Sequence, residues 1–119
     1  MNHAWVEGFE GAITVCDPEG IIIEMNDRAV RTYRNIGGRD LLGRNIFDCH
    51  PEPSRTKLAE IMKHRLTHAY TVEIKGARKL LYQAPWYENG VYGGFVEISL
   101  PLPSDMPHYN RDKKKPDQP

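Results

Sequence analysis

Cys49 and His50 are adjacent in the sequence, and a thiol beside an imidazole could form a nucleophile or part of a metal site. A reactive thiolate needs a neighbour that lowers its pKa, and a histidine adjacent in sequence rarely has the right geometry. A metal site needs further ligands, and Cys16 could join only if the first strand meets this loop. We favour a rigid connector shaped by Pro51 and Pro53.

Other residue types that support catalysis are scattered. Glu7, Glu10, Asp17 and Glu19 lie near turns, without the paired spacing that acid–base catalysis requires. Gly37-Gly38 follows a predicted helix, where a glycine cap is expected, so it is not a phosphate-binding loop. We therefore expect that the protein is not an enzyme.

The composition points to one domain without a charge bias. The chain has 119 residues with 16 basic and 16 acidic side chains, which provides no electrostatic argument for nucleic acid. Two cysteines are too few for a disulfide framework. Met1 to Glu10 has no basic segment followed by an apolar run, and no apolar stretch approaches the length that spans a bilayer. We therefore expect no signal peptide, no membrane partner and a cytoplasmic location.

The first half of the chain predicts a hairpin followed by short helices. Strands at 12–17 and 21–25 flank a turn in which Pro18 fixes φ and Gly20 accepts a positive φ. Asn26 is a favourable cap for a helix from Asp27 to Arg34.

The clearest amphipathic helix begins after Pro53, with Ser54 as its predicted N-cap. Its apolar residues recur at three- and four-residue steps and should lie on a sheet: Leu58, Ile61, Met62 and Leu66.

Three more strands follow. Apolar residues alternate with polar ones from Tyr70 to Ile74 and again from Leu80 to Trp86. Asn89-Gly90 is a hairpin signal, and Gly93-Gly94 suggests a bulge or a close backbone approach.

The domain organisation follows from these elements. We predict an N-terminal helical extension at 1–10, a folded domain at 11–100 and a flexible Pro/Lys-rich tail at 101–119. Lys113 to Lys115 in the tail are more consistent with solubility than with phosphate binding.

Three motifs in this order resemble the PAS domain family: Asp17 to Asn26, Leu42 to Phe47, and Trp86 to Ser99. The resemblance implies an α+β fold, in which a five-stranded antiparallel sheet carries short helices and one longer helix on one face. Asp48 to Ser54, with its Cys-His-Pro sequence, is similar to a PAS subgroup of obscure function that is often joined to hemerythrin-like domains.

The resemblance also implies a sensory or signal-transduction module. We expect a small-molecule cavity between sheet and helices, with signalling through protein–protein contacts. The alternative is a ligand-free dimerisation or interaction module whose core is filled. The residues predicted to line the cavity are Val15, Ile23, Tyr33, Leu58, Met62, Tyr82, Val96 and Ile98.

Cofactor and partner sites are less specific. In haem-binding PAS domains the iron ligand comes from the region of His68, with His64 as a second candidate, but we favour solvated histidines here. The cofactor is left open, because no specific motif in the sequence supports haem or flavin. Trp5, Val6 and Phe9 are the predicted interface with a second subunit or a signalling partner.

Overall fold

The computed structural model describes residues 3–112 and contains one five-stranded antiparallel sheet in the order β2-β1-β5-β4-β3. The strands are β1 Ala12–Cys16, β2 Ile22–Met25, β3 His68–Ile74, β4 Ala77–Glu88 and β5 Val91–Leu102. The α-helices are α1 Ala4–Gly8, α2 Asp27–Thr32 and α3 Ser54–Lys63, with 3₁₀ turns at Arg34–Ile36, Gly38–Leu41 and Ile46–Cys49. The predicted α+β sheet, with one longer helix among short ones, is confirmed.

The first hairpin turns as its residue types predict. The Asp17 carboxylate accepts hydrogen bonds from the amides of Glu19 and Ile21, both at 2.9 Å. Gly20 has φ +88°, which an L-residue rarely adopts, so glycine suits this position.

Asn26 does more than the predicted capping of α2. Its Oδ1 accepts from the amides of Ala29 at 3.0 Å and Ile13 at 2.9 Å. Its Nδ2 donates to the carbonyls of Val6 and Gly11, each at 2.9 Å. The side chain is only 1% exposed and joins α1, β1 and α2 through four hydrogen bonds, of which those to Gly11 and Ala29 are fully buried.

Two helix boundaries differ from the sequence prediction. Helix α2 ends at Thr32, and a 3₁₀ turn continues the chain to Ile36. Ser54 is the first residue of α3 and is not its cap; instead, the Glu52 carboxylate accepts from the amide of Thr56 at 3.0 Å.

Leu66 was predicted on the apolar stripe of α3 but lies beyond the end of the helix. The helix stops at Lys63, Arg65 takes a positive φ of 54°, and Leu66 is 52% exposed. The reversal of the backbone after the helix carries Leu66 out of the stripe, whereas Leu58 remains buried.

The helices cover the sheet face that carries Ala12, Cys16 and Phe95. Cys16 and Phe95 form a buried cluster with Leu58, Ile61 and Met62 of α3. A second cluster packs Ala12 and Met25 against Ala29 and Leu41. Since side chains alternate along a strand, the residues between these in sequence point to the opposite, helix-free face.

Gly93 and Gly94 produce the predicted irregularity. The β4–β5 register shifts between Trp86 and Tyr87, and Gly94 has φ +131° with its Cα close against the Cys16 carbonyl. The Trp86 indole donates to the same carbonyl at 3.2 Å. The bulge also changes the strand phase: strict alternation along β5 would place Tyr92 on the face of Val96, but Tyr92 packs beside Phe95 on the helix-covered face.

The predicted tail begins slightly later than expected, because β5 continues to Leu102, which pairs with Arg78. Lys113 to Lys115 and the first two residues of the extension lie outside the described part of the chain. Within residues 3–112, no helix has both the length and the apolarity needed to cross a bilayer.

Candidate functional site

A chain of polar side chains crosses the helix-covered face of the sheet. The Tyr33 hydroxyl donates to Glu97 Oε1 at 2.7 Å, and Gln83 Nε2 donates to Glu97 Oε2 at 2.8 Å. His68 Nδ1 lies 3.2 Å from Gln83 Oε1. Because the Gln83 oxygen accepts, this histidine nitrogen is the donor.

The strand register brings these residues together. Glu97 pairs with Thr14 of β1 on one side and with Gln83 of β4 on the other, and Gln83 pairs with His68 of β3. Directly opposed residues share a face, so one polar row runs across four strands. Tyr33, the C-cap of α2, reaches this row from the helix side.

A cavity of about 210 Å³ lies between this row and the helices. Its apolar lining is Ile22, Met25, Ile36, Leu41, Ile46 and Leu81, and its polar lining is Thr14, Tyr33, Cys49, His50, Tyr70 and Glu97. A second cavity of about 240 Å³ is lined by His50, Ser54, Lys57, Leu58, Ile61, His68, Tyr70 and Gln83. His50 and Tyr70 line both, so the two cavities are neighbours.

The electrostatics of the first cavity centre on Glu97. Burial, and then the negative charge of Glu97, raises the pKa of Tyr33 far above its usual value. The same two causes raise the pKa of Tyr70. Both phenols are therefore neutral hydrogen-bond donors at physiological pH.

Cys49 and His50 both line the first cavity. Cys49 ends a 3₁₀ turn, and His50 Nδ1 lies 2.9 Å from the Ile46 carbonyl, to which it donates. Cys16 and Cys49 are both free and pack into different clusters. The Cys49-His50 segment therefore forms a connector held by hydrogen bonds. The position of His50 at the cavity was not predicted from the sequence.

Comparison with known proteins identifies the family. A family model described as "PAS fold" matches residues 6–75, more than half of the chain. The chain belongs to the PAS family. No curated protein matches this PAS domain.

Solved structures agree with this fold. The Aer2 receptor from Vibrio cholerae is 17% identical, with a TM-score of 0.62 over 78% of this chain and 95% of that one. A C-terminal domain from Streptococcus mutans is 17% identical, with a TM-score of 0.68 over 82% and 80%. The PAS domain of Bordetella pertussis BvgS is 17% identical, with a TM-score of 0.64 over 84% and 82%. At such identity these likenesses show the fold alone, and membership of the Cys-His-Pro subgroup stays a prediction.

Only part of the predicted cavity lining lies at the cavities of this PAS domain. Tyr33 lines the first cavity and Leu58 the second one. Met62 and Val96 border a crevice of only about 10 Å³ between α3 and the sheet. Contact with a ligand stays a prediction for all of them.

The other predicted lining residues line neither of the two cavities. Val15, Tyr82 and Ile98 lie on the helix-free face, as does the Val96 side chain, because they alternate with Cys16, Gln83 and Glu97. Ile23 is 49% exposed on the edge strand β2. Polarity misled the assignment, since the helix-covered face carries the polar residues Thr14, Gln83 and Glu97.

The two histidine candidates for haem differ in position. His68 was expected in a solvated connection but is the half-buried first residue of β3, where it lines the second cavity. His64 is the C-cap that follows α3, is exposed, and its Nε2 lies 3.3 Å from Glu60 Oε2. Taken singly, neither cavity reaches the roughly 300 Å³ at which pockets for drug-sized ligands begin.

No cluster of three or more His, Cys, Asp or Glu side chains suited to a metal occurs within residues 3–112.

The predicted interface residues lie at the N-terminal end of the described chain. Trp5 in α1 is 70% exposed, and Phe9, just after the helix, is exposed as well. Val6 is half-buried, and its carbonyl accepts from Asn26. Their role in a dimer or partner contact stays a prediction.

Proposed function

We propose that this PAS domain is a sensory signal-transduction module, which binds a small molecule between sheet and helices and signals through protein–protein contacts. One observation carries the proposal. Glu97 lines the cavity and is bonded at once to Tyr33 beside α2 and to Gln83 in β4. A ligand that contacts Glu97 therefore acts on the helix layer and on the sheet together.

The route from cavity to surface runs through α2. Tyr33 closes the C-terminal end of this helix, and Asn26 at its N-terminal end is bonded to the Val6 carbonyl of α1. Trp5 beside Val6 is exposed and available to a partner. Ligand binding shifts such a system only if the ligand has a higher affinity for one arrangement of α1 and α2 than for the other.

The related folds support a sensory role by analogy. The Vibrio cholerae receptor is described as a dual PAS–haem oxygen sensor, and another structure of similar fold is the PAS domain of the histidine kinase ThkA, with a TM-score of 0.60. In the same proposal the domain is regulatory, not catalytic, and it acts in the cytoplasm.

A second candidate function is a ligand-free dimerisation module. The observation that favours it is the exposure of Trp5, 70%, on a helix that is tied to the body of the domain. Exposed apolar patches mark interaction sites, and large aromatic side chains are enriched at protein interfaces. The protein that binds at Trp5 would be a second copy of this chain or a signalling partner.

Native mass spectrometry and an absorption spectrum of the purified full chain test the first candidate. A bound small molecule whose removal shifts the amide resonances of Tyr33, Leu81 and Glu97 is the expected result. A clean apo protein, with no resonance change for any member of a metabolite library, would contradict it.

Light scattering on the same sample tests the second candidate. A dimer that Trp5→Ala dissociates, and that Val91→Ala leaves intact, would favour it. Val91 is a fair control because it is 69% exposed at the opposite hairpin turn. A monomer for the unmodified chain would remove the homodimer form of this candidate.

A further inference from the structure

We infer that the ligand of the first cavity, the one lined by Glu97, is a small organic cation: a protonated amine bound by Glu97, with an apolar body enclosed by the surrounding side chains. This inference rests on the proposed function and names the chemical class of the ligand.

The charge balance of the cavity leads to this class. Glu97 is the only acidic side chain among the lining residues, and no lysine or arginine lines the cavity with it. Within residues 3–112, Glu97 forms no ion pair, and its side-chain partners are the neutral donors Tyr33 and Gln83. Glu97 is half-buried, and a carboxylate partly withdrawn from water is stabilised by a nearby positive charge, which no lysine or arginine among the lining residues supplies.

Glu97 retains free hydrogen-bonding capacity. An ionised carboxylate offers about four acceptor positions on its two oxygens. Tyr33 occupies one position on Oε1 and Gln83 occupies one on Oε2, so each oxygen has a position left. An ammonium group has donors for both and also supplies the missing charge.

The rest of the lining suits the remainder of such a molecule. Tyr33 and Tyr70 line the same cavity as Glu97, and aromatic rings attract cations. Met25, Leu41 and Leu81 provide apolar walls for a hydrocarbon body. The volume of about 210 Å³ restricts the ligand to a molecule of metabolite size.

Anionic and neutral ligands are disfavoured for a physical reason. An anion would be repelled at short range by the negative charge of Glu97. A neutral molecule would displace water from the carboxylate without replacing the lost solvation of its charge.

The test compares three probes of matched shape on the full chain at pH 7: phenethylammonium chloride, 2-phenylethanol and sodium 3-phenylpropanoate. Calorimetry gives affinities, and amide resonances report where each probe binds. We expect the ammonium probe to bind at least about tenfold more tightly than the alcohol, with shifts at Tyr33, Leu81 and Glu97. The carboxylate probe should bind least.

Two variants locate the effect. Glu97→Gln keeps the shape of the side chain and should remove the preference for the ammonium probe. Glu88→Gln removes the same charge from the exposed end of β4 and should leave the preference unchanged. If Glu97→Gln does not fold, Tyr33→Phe serves instead, because it frees a position on Oε1 and should tighten ammonium binding relative to the alcohol.

Each outcome decides between the two proposals. Equal or tighter binding of the alcohol or the carboxylate, or a preference that survives Glu97→Gln, overturns the cation class but leaves the ligand-binding module in place. If no probe shifts the cavity resonances and the native mass spectrum shows no bound molecule, the ligand-binding function fails together with this inference.

Discussion

The Tyr33 hydroxyl donates a 2.7 Å hydrogen bond to Glu97 Oε1, which joins residues that are 64 positions apart in the chain. It connects the C-terminal end of α2 with the middle of β5 across the wall of the cavity. Bonds to a charged acceptor are stronger than neutral ones, and this bond is partly shielded from water. It therefore positions both the helix layer and the carboxylate that we propose as the ligand anchor.

Removing this hydroxyl should change stability in a pH-dependent way. The folded state raises the pKa of Tyr33 above the ordinary value of 10.0, because burial and Glu97 disfavour the phenolate. The contribution of Tyr33 to the free energy of unfolding is therefore fully present below about pH 10. It is lost as the pH rises further, because the unfolded chain then ionises this tyrosine while the folded chain does not.

Urea denaturation at pH 8 to 11 measures this effect. At pH 8, Tyr33→Phe should lower the free energy of unfolding by roughly 1.5–3 kcal/mol, the usual worth of a hydrogen bond to a charged group. Above pH 10, the difference between the two proteins should shrink. Tyr109→Phe, at an exposed position, is the control. A difference independent of pH would contradict the assignment.

Asn26→Ala should be strongly destabilising. It removes one N-cap and leaves the amide of Ile13 and the carbonyls of Val6 and Gly11 without their partner. We expect a loss of roughly 3 kcal/mol in the free energy of unfolding, from about 1 for the cap and 1–3 for the buried groups. Asn35→Ala at an exposed site should change it by less than about 0.5 kcal/mol.

Gly94→Ala should cost more than Gly90→Ala, although both glycines have positive φ, +131° and +80°. A Cβ at Gly94 would collide with the Cys16 carbonyl and the Asp17 backbone, whereas a Cβ at Gly90 meets open space. We expect roughly 1–2 kcal/mol at Gly90 from backbone strain, and a larger loss at Gly94. Thermal melts monitored by circular dichroism compare them, and equal costs would mean that β1 moves freely away from β5.

Leu58→Ala and Leu66→Ala should separate two residues that the sequence pattern placed on one stripe. Leu58 is buried against Cys16 and Phe95, so its truncation should cost about 2–5 kcal/mol. Leu66 is exposed beyond the helix, and its truncation should cost less than about 0.5 kcal/mol. Chemical denaturation measures both, and similar costs would show that Leu66 packs against the domain in solution.

Local chemistry made much of the fold predictable. Gly20 and Asn26 each occupy a position that their backbone or capping preference favours, so the first hairpin and α2 were located correctly. The Gly93-Gly94 irregularity was also expected. The face on which each side chain lies around this irregularity was not predictable. The bulge moves Tyr92 to the face of Phe95, and the alternation of residue types along the strand carries no sign of that shift.

The sequence by itself determined that residues alternate between two faces of an antiparallel sheet, since a strand has a period of two. Only the tertiary structure decided which face the helices cover. Both faces carry apolar residues, and the rule that apolar side chains point inward selected Val15, Tyr82 and Ile98. The covered face instead holds Glu97 and Gln83, which bond to each other. These polar side chains are tolerated under the helices because α2 places Tyr33 beside the sheet, where its hydroxyl donates to Glu97 and satisfies part of the hydrogen-bonding capacity of the carboxylate.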